Sequence, residues 1–161
     1  GFEECATNIV SKMDSNFIDF TLTRPWRDGG RDAIGRYAIH SGGKVNYPLI
    51  IDCALEAKCY GLNKGVGVRE MSRLISRIRY RQFGVMVTTG YVDSQAYSEV
   101  VDDGHPILIV TASDIAGVLR NNAINSTNVE EWLASVDSDS TKKRLATYYN
   151  KMQELHSTIR S

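Results

Sequence analysis

The chain has 161 residues, of which 42% are hydrophobic, enough for one domain with a core of its own. Its 19 basic and 19 acidic residues cancel, so only a local charged patch could attract a nucleic acid. No apolar run approaches the roughly 18 residues of a membrane span, and no secretion signal precedes the first helical pattern. The composition therefore predicts no membrane partner.

The cysteine pattern predicts a reduced, cytoplasmic protein. The three cysteines are Cys5, Cys53 and Cys59. Their odd number and the absence of a CxxC spacing are typical of free thiols that pack in a core. The three histidines are scattered, which argues against zinc. The first residue is Gly1 rather than Met, and we expect the chain to be one domain of a longer protein.

The first half of the chain predicts a helix and then antiparallel strands. Apolar residues at helical spacing predict the helix, and alternating residues predict the first strand. Pro25 and the Gly29-Gly30 pair interrupt the pattern and predict a loop. Two strands joined by a turn at 41–44 follow as a hairpin. The predicted bounds are 2–13 for the helix, 17–22 for the first strand, 24–31 for the loop, and 34–39 and 49–55 for the hairpin strands.

The second half predicts alternating helices and strands. That alternation favours parallel pairing, so with the hairpin the sheet should be mixed and the fold α/β. Ser113 is the predicted cap of one helix, with Asp114 in its first turn. The predicted helices span 68–81, 94–101, 113–119, 129–136 and 141–159, and the predicted strands span 83–89 and 106–111.

The register of the predicted hairpin brings two carboxylates together. With a turn centred near Lys44, Asp32 lies opposite Glu56, and directly opposed Cβ atoms are about 4.5–5.5 Å apart. Glu56 and Lys58 are two residues apart, so a strand presents both on one face. Two carboxylates and an ammonium group suit a divalent metal ion and an attacking water. The pattern indicates a metal-dependent nuclease.

An acidic residue two positions before a lysine is common on ordinary exposed strands, so the pattern needs further support. Asp32 follows a glycine-rich corner, where a tight backbone path is possible. Asp28 in that corner is the alternative if the register differs. Leu55 and Ala57 point to the opposite face, which leaves one side of the strand for the site.

A row of arginines follows the acidic–lysine triplet. Arg69, Arg73 and Arg77 are spaced by four on the predicted helix, with Arg79 and Arg81 near its end. Arginine matches phosphate geometry through its bidentate fork, which predicts DNA contacts. The alternative is an ordinary solvated helix face.

In these blocks the chain resembles the Mrr-type branch of the PD-(D/E)xK nuclease superfamily. The resemblance covers residues 2–120. The matching blocks are Phe2-Glu3-Glu4, Asp28-Gly29-Gly30-Arg31-Asp32, Leu55-Glu56-Ala57-Lys58, Gly84-Val85-Met86-Val87-Thr88-Thr89 and residues 107–119. Many Mrr-like members carry Gln at the position of Glu56, and a glutamate there favours metal binding.

The resemblance implies a restriction-endonuclease-like fold, a central mixed sheet flanked by helices, with extra C-terminal helices. It also implies Mg²⁺-dependent cleavage of double-stranded DNA, with Mn²⁺ as a substitute. Asp32, Glu56 and the Ala57 carbonyl would hold the metal, and Lys58 would orient the water or stabilise the phosphate. A helix-one glutamate that binds metal in some relatives points to Glu3.

The expected organisation is a nuclease core over 1–120 and a helical extension over 121–161 that serves packing, linkage or dimerisation. We expect a homodimer or transient pairing of active sites, and a separate DNA-recognition domain. The alternatives are a silent nuclease-like domain that binds or scaffolds DNA, a branched-DNA resolvase, and a module that binds a small anion through its arginines. The sequence leaves open the recognition sequence and any dependence on methylation.

Overall fold

The structure is a computed structural model that describes residues 1–23, 32–40, 42, 47–78 and 82–137. The described residues form seven strands and four bounded helices, followed by a helical stretch over 129–137. In chain order these are α1 (Phe2–Met13), β1 (Phe17–Leu22), β2 (Ala33–Ile39), β3 (Leu49–Lys58), β4 (Gly65–Val66), α2 (Val68–Arg77), β5 (Phe83–Thr88), β6 (Tyr91–Val92), α3 (Ser94–Asp102), β7 (Ile107–Val110) and α4 (Ala112–Asn121).

Five strands form one mixed sheet in the order β1-β2-β3-β5-β7. The pairs β1–β2 and β2–β3 are antiparallel, whereas β3–β5 and β5–β7 are parallel. The mixed sheet predicted from the hairpin and the later alternation is confirmed. β3 joins the two halves: it pairs with β2 through Leu55 and with β5 from Cys53 to Lys58, so residues 53–55 have a hydrogen-bonded neighbour strand on each side.

The hairpin has the predicted register. Ala33 pairs with Leu55 and Tyr37 with Ile51, and the positions of each pair add up to 88. This is the constant sum predicted for pairing about position 44. The predicted second strand was too short, because β3 continues through Lys58 by pairing with β5.

Helices cover both faces of the parallel half. α1 and α4 pack against each other and bury one face, and α2 and α3 pack against each other over the other. Successive residues of β5 therefore enter different cores: Val85 and Val87 join the first, and Met86 joins the second. A strand buried on both faces reads as a continuous apolar run.

Local details correct three sequence predictions. α2 ends at Arg77 because the backbone of Ile78 is extended. The predicted helix to 81 was therefore wrong at Ile78, and Arg79 and Arg81 lie outside the described residues. The N-cap of α4 is Thr111 rather than Ser113, and its N–H donates to Asp114 Oδ2 at 2.8 Å. The short parallel pair β4–β6 was not predicted, because two-residue strands leave no periodic signal.

The described part of the C-terminal extension packs on the domain. Trp132 packs against the α1 core, and its indole Nε1 donates to Asn8 Oδ1 at 3.1 Å. Ile124 and Val136 are buried. These contacts favour packing up to residue 137. The predicted helix over 141–159 and the predicted loop over 24–31 lie outside the described residues. Within the described ranges, every helix is too short or too polar to cross a membrane.

Candidate active site

Glu56 is a fully buried carboxylate in the centre of the sheet. It lies on β3 beside Met86 of β5, under helix α2, and its exposed fraction is 0%. Burial of an unpaired carboxylate is strongly unfavourable, so such a group needs cationic partners. Glu56 has two: Lys58 Nζ lies 2.9 Å from Oε1, and Arg77 Nη1 donates to Oε2 at 2.9 Å.

Asp32 lies at the open end of the β2–β3 pair, next to Glu56. Its backbone N–H donates to the Leu55 carbonyl at 3.0 Å, and its Oδ2 accepts the Ala57 N–H at 2.7 Å. The Asp32 side chain thus adds one hydrogen bond beyond the end of the β2–β3 backbone pairing. Burial raises the pKa of Asp32, and the charge of Glu56 adds to that rise, while the Ala57 N–H and the Lys58 charge oppose it.

The ammonium group of Lys58 lies between the predicted metal ligands. Its Nζ is 2.9 Å from Glu56 Oε1, 3.3 Å from the Ala57 carbonyl oxygen and 3.9 Å from Asp32 Oδ2. The approach to Glu56 Oε1 has ion-pair distance but not hydrogen-bond geometry, so this buried oxygen lacks a hydrogen bond. Three oxygen atoms therefore surround one cation.

This donor set fits a hard divalent ion. Carboxylate and carbonyl oxygens are the ligands that Mg²⁺ prefers, and Mg²⁺ usually keeps several waters besides one or two carboxylates. Glu56 Oε1 accepts no hydrogen bond and is ion-paired with Lys58, so a divalent ion could bind it in place of the ammonium group. No group of three or more His, Cys, Asp or Glu side chains converges in the described part of the chain. Asp32 and Glu56, with the Ala57 carbonyl, are the residues that could hold a metal.

The first helix contributes less directly than expected. Glu3 is exposed, and its carboxylate folds back toward Gly1, although its charge still raises the pKa of Asp32 after the larger effect of burial. The neighbouring Glu4 is the buried one, and its carboxylate contacts the Gly1 amino group. The structure therefore brings neither glutamate into the group formed by Asp32 and Glu56.

The arginine row divides into two kinds of position. Arg69 and Arg73 are exposed on α2. Arg77 differs, because only 14% of its side chain is exposed and its guanidinium binds Glu56. The spacing by four predicts that the three arginines lie on one side of the helix. It does not predict which of them points toward the sheet.

Thr88 at the end of β5 and Thr89 just after it form hydrogen bonds beside the site that sequence reasoning missed. The Thr89 N–H donates to the Lys58 carbonyl at 3.1 Å, which fixes the end of β3. The buried Thr88 Oγ1 accepts the Gly90 N–H at 3.0 Å and closes the turn that follows. Two consecutive threonines after an apolar strand were the available signal.

Two solved structures are similar to this fold. The structure titled "DNA modification-dependent restriction endonuclease AspBHI" is 52% identical and matches with a TM-score of 0.75, covering 86% of this chain. The structure titled "MspJI Restriction Endonuclease in Complex with 27-mer Oligonucleotide" is 27% identical, with a TM-score of 0.69 over 84% of this chain. The chain spans 35% and 31% of the lengths of these two proteins. No curated protein sequence is significantly similar to it.

The sequence profile of a restriction endonuclease family, the Mrr catalytic domain, matches residues 1–119. This range contains the whole mixed sheet, α1 to α3, most of α4 and the cluster of Asp32, Glu56 and Lys58. The similar structures are both restriction endonucleases, so the predicted restriction-endonuclease-like fold is confirmed. The chain therefore belongs to the Mrr-type family of restriction endonucleases.

Proposed function

We propose that this chain is the cleavage domain of a modification-dependent restriction endonuclease that hydrolyses phosphodiester bonds of duplex DNA with Mg²⁺. One observation carries the proposal: the oxygens of Asp32, Glu56 and Ala57 all lie within 3.9 Å of a single cation, Lys58 Nζ. A position that favours one positive charge from three sides is suited to a divalent ion.

In this mechanism Asp32, Glu56 and the Ala57 carbonyl would hold the metal. When bound, Mg²⁺ supplies Lewis-acid chemistry, lowering the pKa of a water and neutralising phosphate charge. Lys58 lies on the same strand face and stabilises the negative charge that develops on the phosphate oxygens. Arg77 keeps the Glu56 carboxylate in place through Oε2, which leaves Oε1 facing the site. We therefore assign Arg77 to the active site and keep Arg69 and Arg73 as phosphate contacts.

Recognition of the modified base is assigned to a part of the protein outside this chain. The chain corresponds to about a third of the length of either relative, and one relative is named as modification-dependent. Cutting both strands requires two active sites, which supports a homodimer or a transient pair of chains. We place the protein in the cytoplasm because its described cysteines are free thiols.

A catalytically silent DNA-binding domain is the second candidate. Both oxygens of Glu56 already face cations, so a metal ion must compete with Lys58 at Oε1. Such pairing would also be expected in a domain that retains the fold but no longer cleaves.

Nicking of supercoiled plasmid DNA separates the two candidates. The protein is incubated with Mg²⁺ or Mn²⁺ and with plasmid that carries or lacks 5-methylcytosine. We expect nicking in either metal and none in excess EDTA. Glu56→Gln should be inactive. Asp52→Asn, which changes an exposed acid four residues earlier on β3, should match the parent. Activity in EDTA would refute the metal mechanism, and DNA binding without nicking in any metal would favour the silent domain.

A further inference from the structure

Tyr60 is fixed at both ends, just beyond the catalytic strand. Its backbone N–H donates to Thr89 Oγ1 at 2.8 Å, and its carbonyl accepts the Thr89 hydroxyl at 2.7 Å. Its phenolic hydroxyl donates to Glu70 Oε1 at 3.3 Å. The same Glu70 accepts the Gly67 N–H at 3.3 Å at the start of α2. The ring is therefore held between the end of β5 and the beginning of α2.

The face of this ring carries an exposed lysine. Lys64 Nζ lies 4.1 Å from the centroid of Tyr60, a cation–π distance. The Lys64 N–H also donates to the Gly61 carbonyl at 3.0 Å, so the turn that bears it is hydrogen-bonded. Within the described ranges no carboxylate lies within 4.0 Å of its ammonium group. The charge of Lys64 is thus positioned but not neutralised by an ion pair.

The position of this lysine relates it to the active site. Tyr60 is two residues beyond Lys58, and its hydroxyl responds to both Glu56 and Arg73. Burial and the nearby Glu70 raise the pKa of the Tyr60 hydroxyl; the charge of Glu56 adds to the rise and that of Arg73 opposes it. The Tyr60 ring thus lies in the segment that directly follows the catalytic strand, between Lys58 and Lys64 along the chain.

We propose that Lys64, held over the ring of Tyr60, binds a backbone phosphate of the DNA substrate. This inference rests on the proposed function and extends it. A free lysine loses much rotamer freedom when it contacts a phosphate, and a ring fixed by Thr89 and Glu70 removes part of that loss in advance. Tyr60 is thus a positioning residue for the phosphate contact.

Salt-dependent binding to a duplex oligonucleotide tests the proposal. The full chain is titrated in Ca²⁺, without cleavage, at several salt concentrations. Lys64→Met should reduce the log–log salt slope by about 0.9, the value for one phosphate contact. Tyr60→Phe keeps the ring and should leave the slope unchanged. Tyr60→Leu should weaken binding, and the double variant Tyr60→Leu with Lys64→Met should bind no more weakly than Lys64→Met alone.

Lys12→Met is the matched control, since Lys12 is an exposed lysine on α1, across the sheet from α2. Its slope should equal that of the parent. A Lys64→Met variant with the parental slope overturns the phosphate contact while the proposed function stands. Additive losses in the double variant overturn the role of Tyr60. A parent that neither binds nor nicks DNA overturns the proposed function, and this inference with it.

Discussion

The two ends of β3 distribute their side chains in opposite ways. At the amino end the apolar Leu49 and Ile50 are 63% and 38% exposed, whereas at the carboxyl end the charged Glu56 is fully buried. Among the described residues the amino end pairs only with β2, while residues 53–58 at the carboxyl end pair with β5 and lie under α2. Apolar residues are normally buried and carboxylates exposed, so one strand departs from the usual pattern in both directions.

The difference separates a region shaped by packing from one shaped by chemistry. Exposure of Leu49 needs no explanation beyond the absence of a covering element among the described residues. Burial of Glu56 is unfavourable in itself and is offset by ion pairs with Lys58 and Arg77. Local departures from the rules of stable folding that are compensated elsewhere are characteristic of functional sites.

Removing the buried charge should have the largest effect on activity. Glu56→Gln keeps the side-chain volume but weakens metal binding, so we expect the nicking rate to fall by more than about 10²-fold. Loss of a residue that only supports a metal ligand already lowers activity by about 10- to 100-fold. Initial rates on supercoiled plasmid in Mg²⁺ provide the measurement. Asp52→Asn on the exposed part of the same strand should change the rate little. Equal losses in the two variants would contradict the comparison.

Lys58→Met should separate turnover from binding. The ammonium group is expected to act on charge that develops in the transition state, so cleavage should fall by about 10²-fold while DNA affinity stays near that of the parent. Single-turnover rates and binding curves on the same duplex measure the two quantities. A loss confined to affinity would assign Lys58 to DNA binding instead.

Substitution of Arg77 should lower stability, whereas substitution of Arg73 should weaken DNA binding. Arg77→Met leaves Glu56 with one partner fewer and should lower the free energy of unfolding by about 3 kcal/mol. Arg73→Met should leave stability within about 0.5 kcal/mol and reduce the salt slope of DNA binding by about 0.9. Urea denaturation and salt titration of both variants provide the test. Equal stability of the two variants would mean that the Arg77–Glu56 pair contributes little.

Asp32→Asn should change how stability depends on pH. Because the folded pKa of Asp32 is raised, its stabilising contribution is complete below the ordinary aspartate pKa and is lost as the pH rises through the folded value. In chelator, the variant should lack this loss, which thermal melts across the acid range can detect. Its nicking should nevertheless be far below that of Asp28→Asn, the neighbouring aspartate of the corner. The reverse order of activities would make Asp28 the ligand.

The smallest effect is expected at the exposed end of β3. Leu49→Ser removes an apolar side chain that is already mostly in water, so the free energy of unfolding should change by no more than about 0.5 kcal/mol. Urea denaturation checks this value. A larger loss would show that Leu49 is covered in solution, for example by a second copy of the chain.

The fold could be predicted closely where one periodicity dominates. α1 and β1 have the predicted bounds, and the constant-sum rule gave the pairing of β2 and β3. The ends of elements were less accurate, because caps and extensions depend on partners elsewhere: β3 reaches Lys58 through β5, and Thr111 caps α4 through Asp114.

The proximity of the two carboxylates in the candidate site could be predicted from the sequence, whereas the contacts of Arg77 and Lys64 could not. The hairpin register brings Asp32 next to Glu56, and that register follows from the local sequence around the turn. The binding of Arg77 to Glu56 depends on how α2 is rotated over the sheet, and helical spacing alone does not determine that rotation. Lys64 carried no signal at all, since its cation–π contact requires the turn geometry after Tyr60.

The ion pairs around Glu56 also bear on how the domain folds. Asp32 and Glu56 carry two negative charges, and Lys58 and Arg77 carry two positive ones, so the cluster is neutral by itself. A site of unpaired carboxylates would make folding depend on its metal, as in small metal-stabilised domains. Here the ion pairs remove that dependence. The domain should therefore fold and remain intact in chelator. A divalent ion would then be needed for cleavage but not for folding.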